Sequence, residues 1–140
     1  MNNSVIKILI VDDEPAIIMS LDFLIRKAGY QLFIARNGQE ALDIAANEHP
    51  HIAVLDIMMP DVDGFEVCRR IKTQPDTADV RVIFLSAKSK QEDIERGLAM
   101  GADFYITKPF SNKHLMEKIK LLADAIQHEQ AEDQHKNGKL

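Results

Sequence analysis

His51-Ile-Ala-Val-Leu-Asp-Ile-Met-Met-Pro-Asp-Val-Asp-Gly64 carries an apolar run, Ile52 to Leu55, that stops at a single carboxylate, Asp56, before two Met, a Pro and an Asp-rich turn. A short apolar run closed by turn residues reads as a buried strand rather than a helix. Asp56 then stands at the strand's carboxyl end, where open α/β sheets place their ligands. Taken alone, an Asp after a strand is more often a turn or cap residue, so its surroundings decide.

Four more apolar runs share this build. Lys7–Val11 ends at Asp12-Asp13-Glu14-Pro15, and Pro suits a first helical turn. Ile17, Ile18, Leu21, Leu24, Ile25 and Ala28 then recur at helical spacing until Gly29. Leu32–Ala35 precedes the capping box Asn37-Gly-Gln-Glu40 and a helix carrying Ala41, Leu42, Ile44 and Ala45. After the central stretch, Asp63-Gly-Phe-Glu66 caps a helix with Phe65, Val67, Cys68 and Ile71 inward, and Thr73 to Val80 reads as a surface loop. Val82–Leu85 ends at Ser86-Ala87. Ser89-Lys-Gln-Glu92 is expected to cap a helix with Ile94 and Leu98 inward and Gly101 at its end. Gly97 inside that helix costs about 1 kcal/mol relative to Ala, which predicts the loosest helix of the set. Phe104–Ile106 ends at Thr107-Lys108-Pro109-Phe110. Ser111 caps a last helix with the stripe Leu115, Ile119, Leu122 and Ile126.

Strands alternating with helices in this way imply an α/β fold with right-handed crossovers: a doubly wound five-stranded parallel sheet with five helices, a three-layer sandwich. One domain over 1–127 is expected, with 128–140 a polar helix extension or a disordered tail.

The 140 residues can bury a sizeable core, and 22 acids against 17 bases leave no basic face for nucleic acid or an anionic membrane. A single Cys68 excludes an internal disulfide, and its place in an apolar stripe makes it a core residue rather than a nucleophile. No apolar run approaches the roughly 20 residues of a membrane span, and no leader pattern opens the sequence. A cytoplasmic location is the expectation. His49, His51, His114, His128 and His135 form no metal-ligand spacing and are expected to be solvated.

The strand ends carry Asp12 and Asp13, Asp56, Ser86 and Lys108; only the second strand, ending at Arg36-Asn37, departs from this pattern. Converging carboxylates repel one another and call for a cation, and oxygen ligands at an open sheet edge suit Mg²⁺. A metal, an ammonium and a hydroxyl around one acceptor carboxylate are the parts that stabilise phosphoryl transfer.

Asp12-Asp13-Glu14, Leu55-Asp56-Ile-Met-Met-Pro60-Asp-Val-Asp-Gly64, Phe84-Leu-Ser86-Ala87 and Gly101-Ala-Asp-Phe-Tyr105-Ile-Thr-Lys108-Pro109-Phe110 together resemble the receiver domain of bacterial two-component response regulators, from about Lys7 to Ile126. The resemblance implies a chemotaxis-regulator-like, flavodoxin-like fold with strand order 2-1-3-4-5. It implies that Asp56 is the phosphoacceptor and that Asp12, Asp13, Asp56 and the Met58 carbonyl surround Mg²⁺. It gives Ser86, the Ala87 amide and Lys108 the phosphoryl oxygens, makes Ser86 and Tyr105 a switch pair, and makes the Lys108–Pro109 bond cis. The implied partners are a sensor histidine kinase or phosphotransfer protein and a downstream protein reading the helix 4–strand 5–helix 5 surface, with a dimer on phosphorylation as an option. Such a domain assists its own phosphorylation and dephosphorylation without being an enzyme. Met58 and Lys88 resemble the pair that frames the approach of hydrolytic water.

Three other readings compete with this one. A Mg²⁺-dependent phosphohydrolase usually has a second acid two residues after its nucleophile, where this chain has Met58. A degenerate receiver would lack one of the acceptor-site residues, and none is missing. A receiver fragment of a longer regulator with an output domain is the third, less favoured than a stand-alone receiver. Phe104 and His114 depart from the dimerising winged-helix subfamily, leaving Asp103 with Lys118 as one expected ion pair.

Overall fold

The computed structural model of the chain describes residues 5–138. Its elements are β1 (Lys7–Val11), α1 (Pro15–Lys27), β2 (Gln31–Ala35), α2 (Gly38–Glu48), β3 (Ile52–Asp56), α3 (Gly64–Thr73), β4 (Arg81–Ser86), α4 (Gln91–Ala99), β5 (Phe104–Thr107) and α5 (Asn112–Gly138). The strands form one parallel sheet in the order β2-β1-β3-β4-β5. This is the expected α/β doubly wound sandwich.

Strand alternation divides the core in two. Ile8 and Ile10, Ile52 and Val54, and Ile83 and Leu85 face Leu21 and Ile25 of α1 and Leu115, Ile119 and Leu122 of α5. Leu9 and Val11, Ala53 and Leu55, and Val82 and Phe84 face Ala41 and Ala45 of α2 and Phe65, Val67, Cys68 and Ile71 of α3. Because both faces are covered, the strands are apolar without interruption. Burial pushes the Cys68 thiol up to about 11, consistent with an inert core residue.

The caps follow the sequence in most places. Asn37 and Asp63 accept from the backbone N–H of Glu40 and Glu66 at 2.8 and 2.9 Å, and Ser111 from that of His114 at 3.1 Å. The fourth helix differs from expectation. Its N-cap is Lys90 with no side-chain bond, so Ser89 does not cap it. Leu98 is 44% exposed, and Gly97 is the one buried residue of α4. Thr73–Val80 is no simple surface loop either. Thr77 is buried and donates its hydroxyl to the Ile71 carbonyl at 2.7 Å, Val80 is buried, and the Lys72 ammonium donates to the Ala78 and Val80 carbonyls.

Helix α5 continues unbroken past Gln127 to Gly138. Its extension is tied to the sheet by the Arg81–Glu129 ion pair at 2.6 Å. Residues 139 and 140 lie outside the described residues, and so does the side chain of His135. The other histidines are exposed except His51, which corrects the expectation that all are solvated. His51 exchanges backbone bonds with the first and fourth strands (its N–H to the Lys7 carbonyl, the Arg81 N–H to its own carbonyl), and its Nδ1 accepts from the Lys7 N–H at 2.9 Å. The Gln130 amide stands 3.4 Å from its Nε2.

Burial and then the Lys7 charge push the His51 imidazole below its ordinary pKa. A histidine depressed in the folded state adds stability above its unfolded pKa, about 6.5, and this is lost as pH falls below it. His51→Asn keeps an acceptor without the titration. Urea unfolding at pH 7.5 and 5.5 is expected to give a shallower stability loss for His51→Asn than for wild type; equal slopes would show that His51 takes up its proton equally in the folded and unfolded states.

Candidate functional site

Two strand ends, those of β1 and β3, bring the acids together. The Asp12 N–H donates to the Ala35 carbonyl at 3.1 Å, holding Asp12 against β2, while Val11 stands beside Leu55 in the register. The ligand oxygens of Asp12, Asp13 and Asp56 all lie within 4.8 Å of one another. Asp12 and Asp56 are buried and Asp13 is exposed. The Glu14 N–H donates to Asp12 Oδ1 at 2.9 Å and the Met58 N–H to Asp56 Oδ1 at 3.2 Å.

Lys108 enters from the end of β5. Its N–H donates to the Ser86 carbonyl at 2.8 Å, and its peptide bond to Pro109 is cis, as expected. Its ammonium touches Glu14 Oε1 at 2.9 Å, Asp12 Oδ2 at 3.0 Å and Asp56 Oδ2 at 3.4 Å. Burial pushes the Asp56 carboxyl up; the Lys108 ammonium opposes this, Asp12 adds to it, and the Met58 N–H opposes it. Burial works against the Lys108 charge, but its bonds to Glu14 and Asp12 and the charges of Asp12 and Asp56 outweigh burial and hold it above the ordinary lysine range.

Ser86 is fully buried, and its Oγ accepts from the Lys88 N–H at 3.0 Å. Ala87 is exposed beside it. The Tyr105 hydroxyl donates to the Lys88 carbonyl at 2.7 Å, and its ring lies 6.0 Å from that of Phe84. Lys88 is therefore a bridge between the hydroxyl and the ring, and Tyr105 already reaches the β4–α4 loop. The glycine in α4 lets it do so: a Cβ on Gly97 would fall 2.9 Å from Tyr105 Cδ2 and 3.0 Å from Phe84 Cδ2. From sequence alone, only the propensity cost of Gly97 is visible.

The loop after β3 is fixed by close approaches. A Cβ on Gly64 would strike the Asp56 carbonyl oxygen and Ile57 Cα, and the Gly64 N–H donates to the Ile57 carbonyl at 2.9 Å. Asp61 accepts from the Gly38 and Gln39 N–H groups at 2.9 and 3.0 Å, capping α2 from the loop; these bonds hold its carboxyl below the usual range. Sequence reasoning misses both Glu14 and Asp61 as site residues. Glu14 could have been suspected as a third consecutive acid, whereas the tie from Asp61 spans 23 residues and has no local signal. The Asp103–Lys118 pair does not form: Asp103 accepts from the Val82 N–H at 3.0 Å, and the Lys118 ammonium lies 4.8 Å over the Phe104 ring.

The oxygen-only donor set of Asp12, Asp13 and Asp56 fits a hard divalent cation such as Mg²⁺. An open α/β sheet with converging acids and a lysine at its carboxyl edge defines a class of phosphoryl-handling sites. The family model of the response regulator receiver domain matches residues 8–120. A CheY-like response regulator receiver domain protein from Methanospirillum hungatei is 33% identical, with 90% of this chain and 99% of that chain covered and a TM-score of 0.83. The receiver domain of a signal transduction histidine kinase from Syntrophus aciditrophicus is 37% identical (86% and 91% covered, TM-score 0.78), and the BeF3-activated DrrB receiver domain is 32% identical (86% and 99%, TM-score 0.78). The chain belongs to the response regulator receiver family, a signalling domain of two-component systems whose members bind Mg²⁺ at an acidic pocket.

Gly97→Ala tests the close approach. Alanine favours a helix interior by about 1 kcal/mol, but here its Cβ meets the buried Phe84 and the half-buried Tyr105. The variant is expected to gain no stability in urea and to shift the Tyr105 ring NMR signals as the ring swings out. A gain near the propensity value with unchanged ring signals would show that α4 accommodates the methyl group.

Proposed function

We propose that the chain is a phosphoacceptor receiver that takes a phosphoryl group onto Asp56 from a phosphohistidine on a sensor kinase or phosphotransfer protein. The observation carrying this reading is the Lys108 ammonium lying between buried Asp12 and Asp56, with Asp13 in the same cluster. The histidine N–P bond breaks as an Asp56 oxygen bonds to phosphorus, and the leaving imidazole takes up a proton. Mg²⁺, held by Asp12, Asp13, Asp56 and the Met58 carbonyl, would supply charge neutralisation at the phosphoryl oxygens. Lys108, the Ser86 hydroxyl and the Ala87 amide take the remaining oxygen contacts, so that positioning and charge provide the catalysis.

When Ser86 turns to a phosphoryl oxygen, the Lys88 N–H loses its acceptor and the Lys88 carbonyl, held by Tyr105, moves with it. The α4–β5–α5 surface is then the face a downstream partner reads. The receiver proper is assigned to 1–127 and the polar C-terminal helix extension or tail to 128–140, in a cytoplasmic setting. No helix of the described residues is long and apolar enough to cross a membrane. The absent Asp103–Lys118 pair gives no support to the winged-helix type of dimer.

Acetyl phosphate with Mg²⁺ is expected to label the protein once, as read by intact mass. Asp56→Asn is expected to remove the label, and so is chelation of the metal. Full labelling of Asp56→Asn would take the acceptor role from Asp56.

The lifetime of the phosphorylated form is a second expectation. Met58 is 57% exposed beside the acceptor and cannot accept a proton from water. Lys88 is cationic and suited to pair with phosphoryl oxygens. Self-dephosphorylation is expected to take many minutes or longer, and Met58→Asn or Met58→Glu, which can orient water, to hasten it several-fold. Equal decay in all three proteins, or wild-type decay within seconds, would refute the role given to Met58.

A further inference from the structure

We infer that Glu14 is a resting-state anchor for Lys108, competing for the ammonium with whatever occupies the phosphoryl position on Asp56. The inference rests on the phosphoacceptor reading and adds a residue to it.

Lys108 has three ammonium protons and three carboxylate contacts, at 2.9 Å to Glu14, 3.0 Å to Asp12 and 3.4 Å to Asp56. An oxyanion seated on Asp56 needs one of those protons. Asp12 belongs to the metal-holding group with Asp13 and Asp56, and its carboxylate is buried. Glu14 lies outside that group and is 55% exposed, so water can solvate it once released. Its contact is the closest of the three and the least costly to break.

Both ends of the pair are fixed. Glu14 is the N-cap of α1, with its N–H on Asp12 Oδ1 and its carbonyl accepting from the Ile18 N–H at 3.1 Å. Lys108 is pinned by its N–H on the Ser86 carbonyl. The Glu14 charge alone would also disfavour an anion at the site mouth. The two effects differ in reach: an anchor requires the carboxylate to touch the ammonium, whereas a field requires only its charge.

The test is BeF3⁻ binding by the full chain at saturating Mg²⁺, followed by amide NMR, for wild type, Glu14→Gln and Glu14→Asp. Aspartate keeps the charge but is one carbon–carbon bond shorter, about 1.5 Å. Unchanged amide patterns away from α1 in the metal-free variants serve as the folding control. Both variants are expected to bind BeF3⁻ about two- to fivefold more tightly, the size of an exposed ion pair removed. Tightening in Glu14→Gln with wild-type affinity in Glu14→Asp would overturn the anchor in favour of a field. Unchanged affinity in both would overturn it outright. If wild type itself binds no BeF3⁻ with Mg²⁺, the phosphoacceptor reading falls, and the anchor with it.

Discussion

Asp12 and Asp56 are buried side by side at the carboxyl edge of the sheet, and an uncompensated buried carboxylate costs several kcal/mol. Lys108 meets that repulsion by touching both. The amine has to cross from β5 past β4 toward β3, about 10 Å away at ordinary strand spacing, and toward β1 beyond it, about 14 Å away. A small, fully buried Ser86 at the end of β4 leaves the path open, and its carbonyl anchors the Lys108 backbone. Strand order, the size of the β4 terminal residue and the length of the basic side chain thus answer one electrostatic requirement. Even so burial keeps the Asp56 carboxyl above its usual range, because the Lys108 ammonium offsets that burial only in part.

The same edge is linked to α4 through one peptide unit. Lys88 gives its N–H to Ser86 and its carbonyl to Tyr105, so a hydroxyl at the site and an aromatic ring outside it share a residue. Phe84 packs edge-on against Phe65 at 5.4 Å, and the Arg96 guanidinium of α4 lies 4.2 Å over the Phe65 ring. Helix α4 buries only Gly97 and has no side-chain cap. An element with few buried contacts belongs to the low-stability end of a structure, where conformational responses are expressed most readily.

The sequence discloses the strands and most helix faces because period-two and period-3.6 patterns are local. It also discloses Asp12, Asp13, Asp56, Ser86 and Lys108 as strand-end residues, and the structure places them at one edge. What it hides is long-range. Asp61 capping α2, Asp103 turning back to Val82 and His51 accepting from Lys7 depend on which elements become neighbours. Leu98 shows the reverse failure: it has the right spacing for an inward residue, but Gly97 draws the neighbouring face of α4 onto the rings and leaves Leu98 in water.

The opposite edge of the sheet is built to stay still. Three strand starts are joined through His51, whose backbone and imidazole bind Lys7 and whose carbonyl takes the Arg81 N–H. Arg81 is paired with Glu129 on α5, and Lys72 closes the α3–β4 loop onto the Ala78 and Val80 carbonyls. With strand starts, loop and last helix tied together, a displacement at Asp56 cannot be absorbed by sliding strands, since a parallel register lined on both faces by apolar side chains resists slipping. The constraints are fewest in the loop from Ser86 to Lys90 and in α4, which has no side-chain cap and buries Gly97 alone.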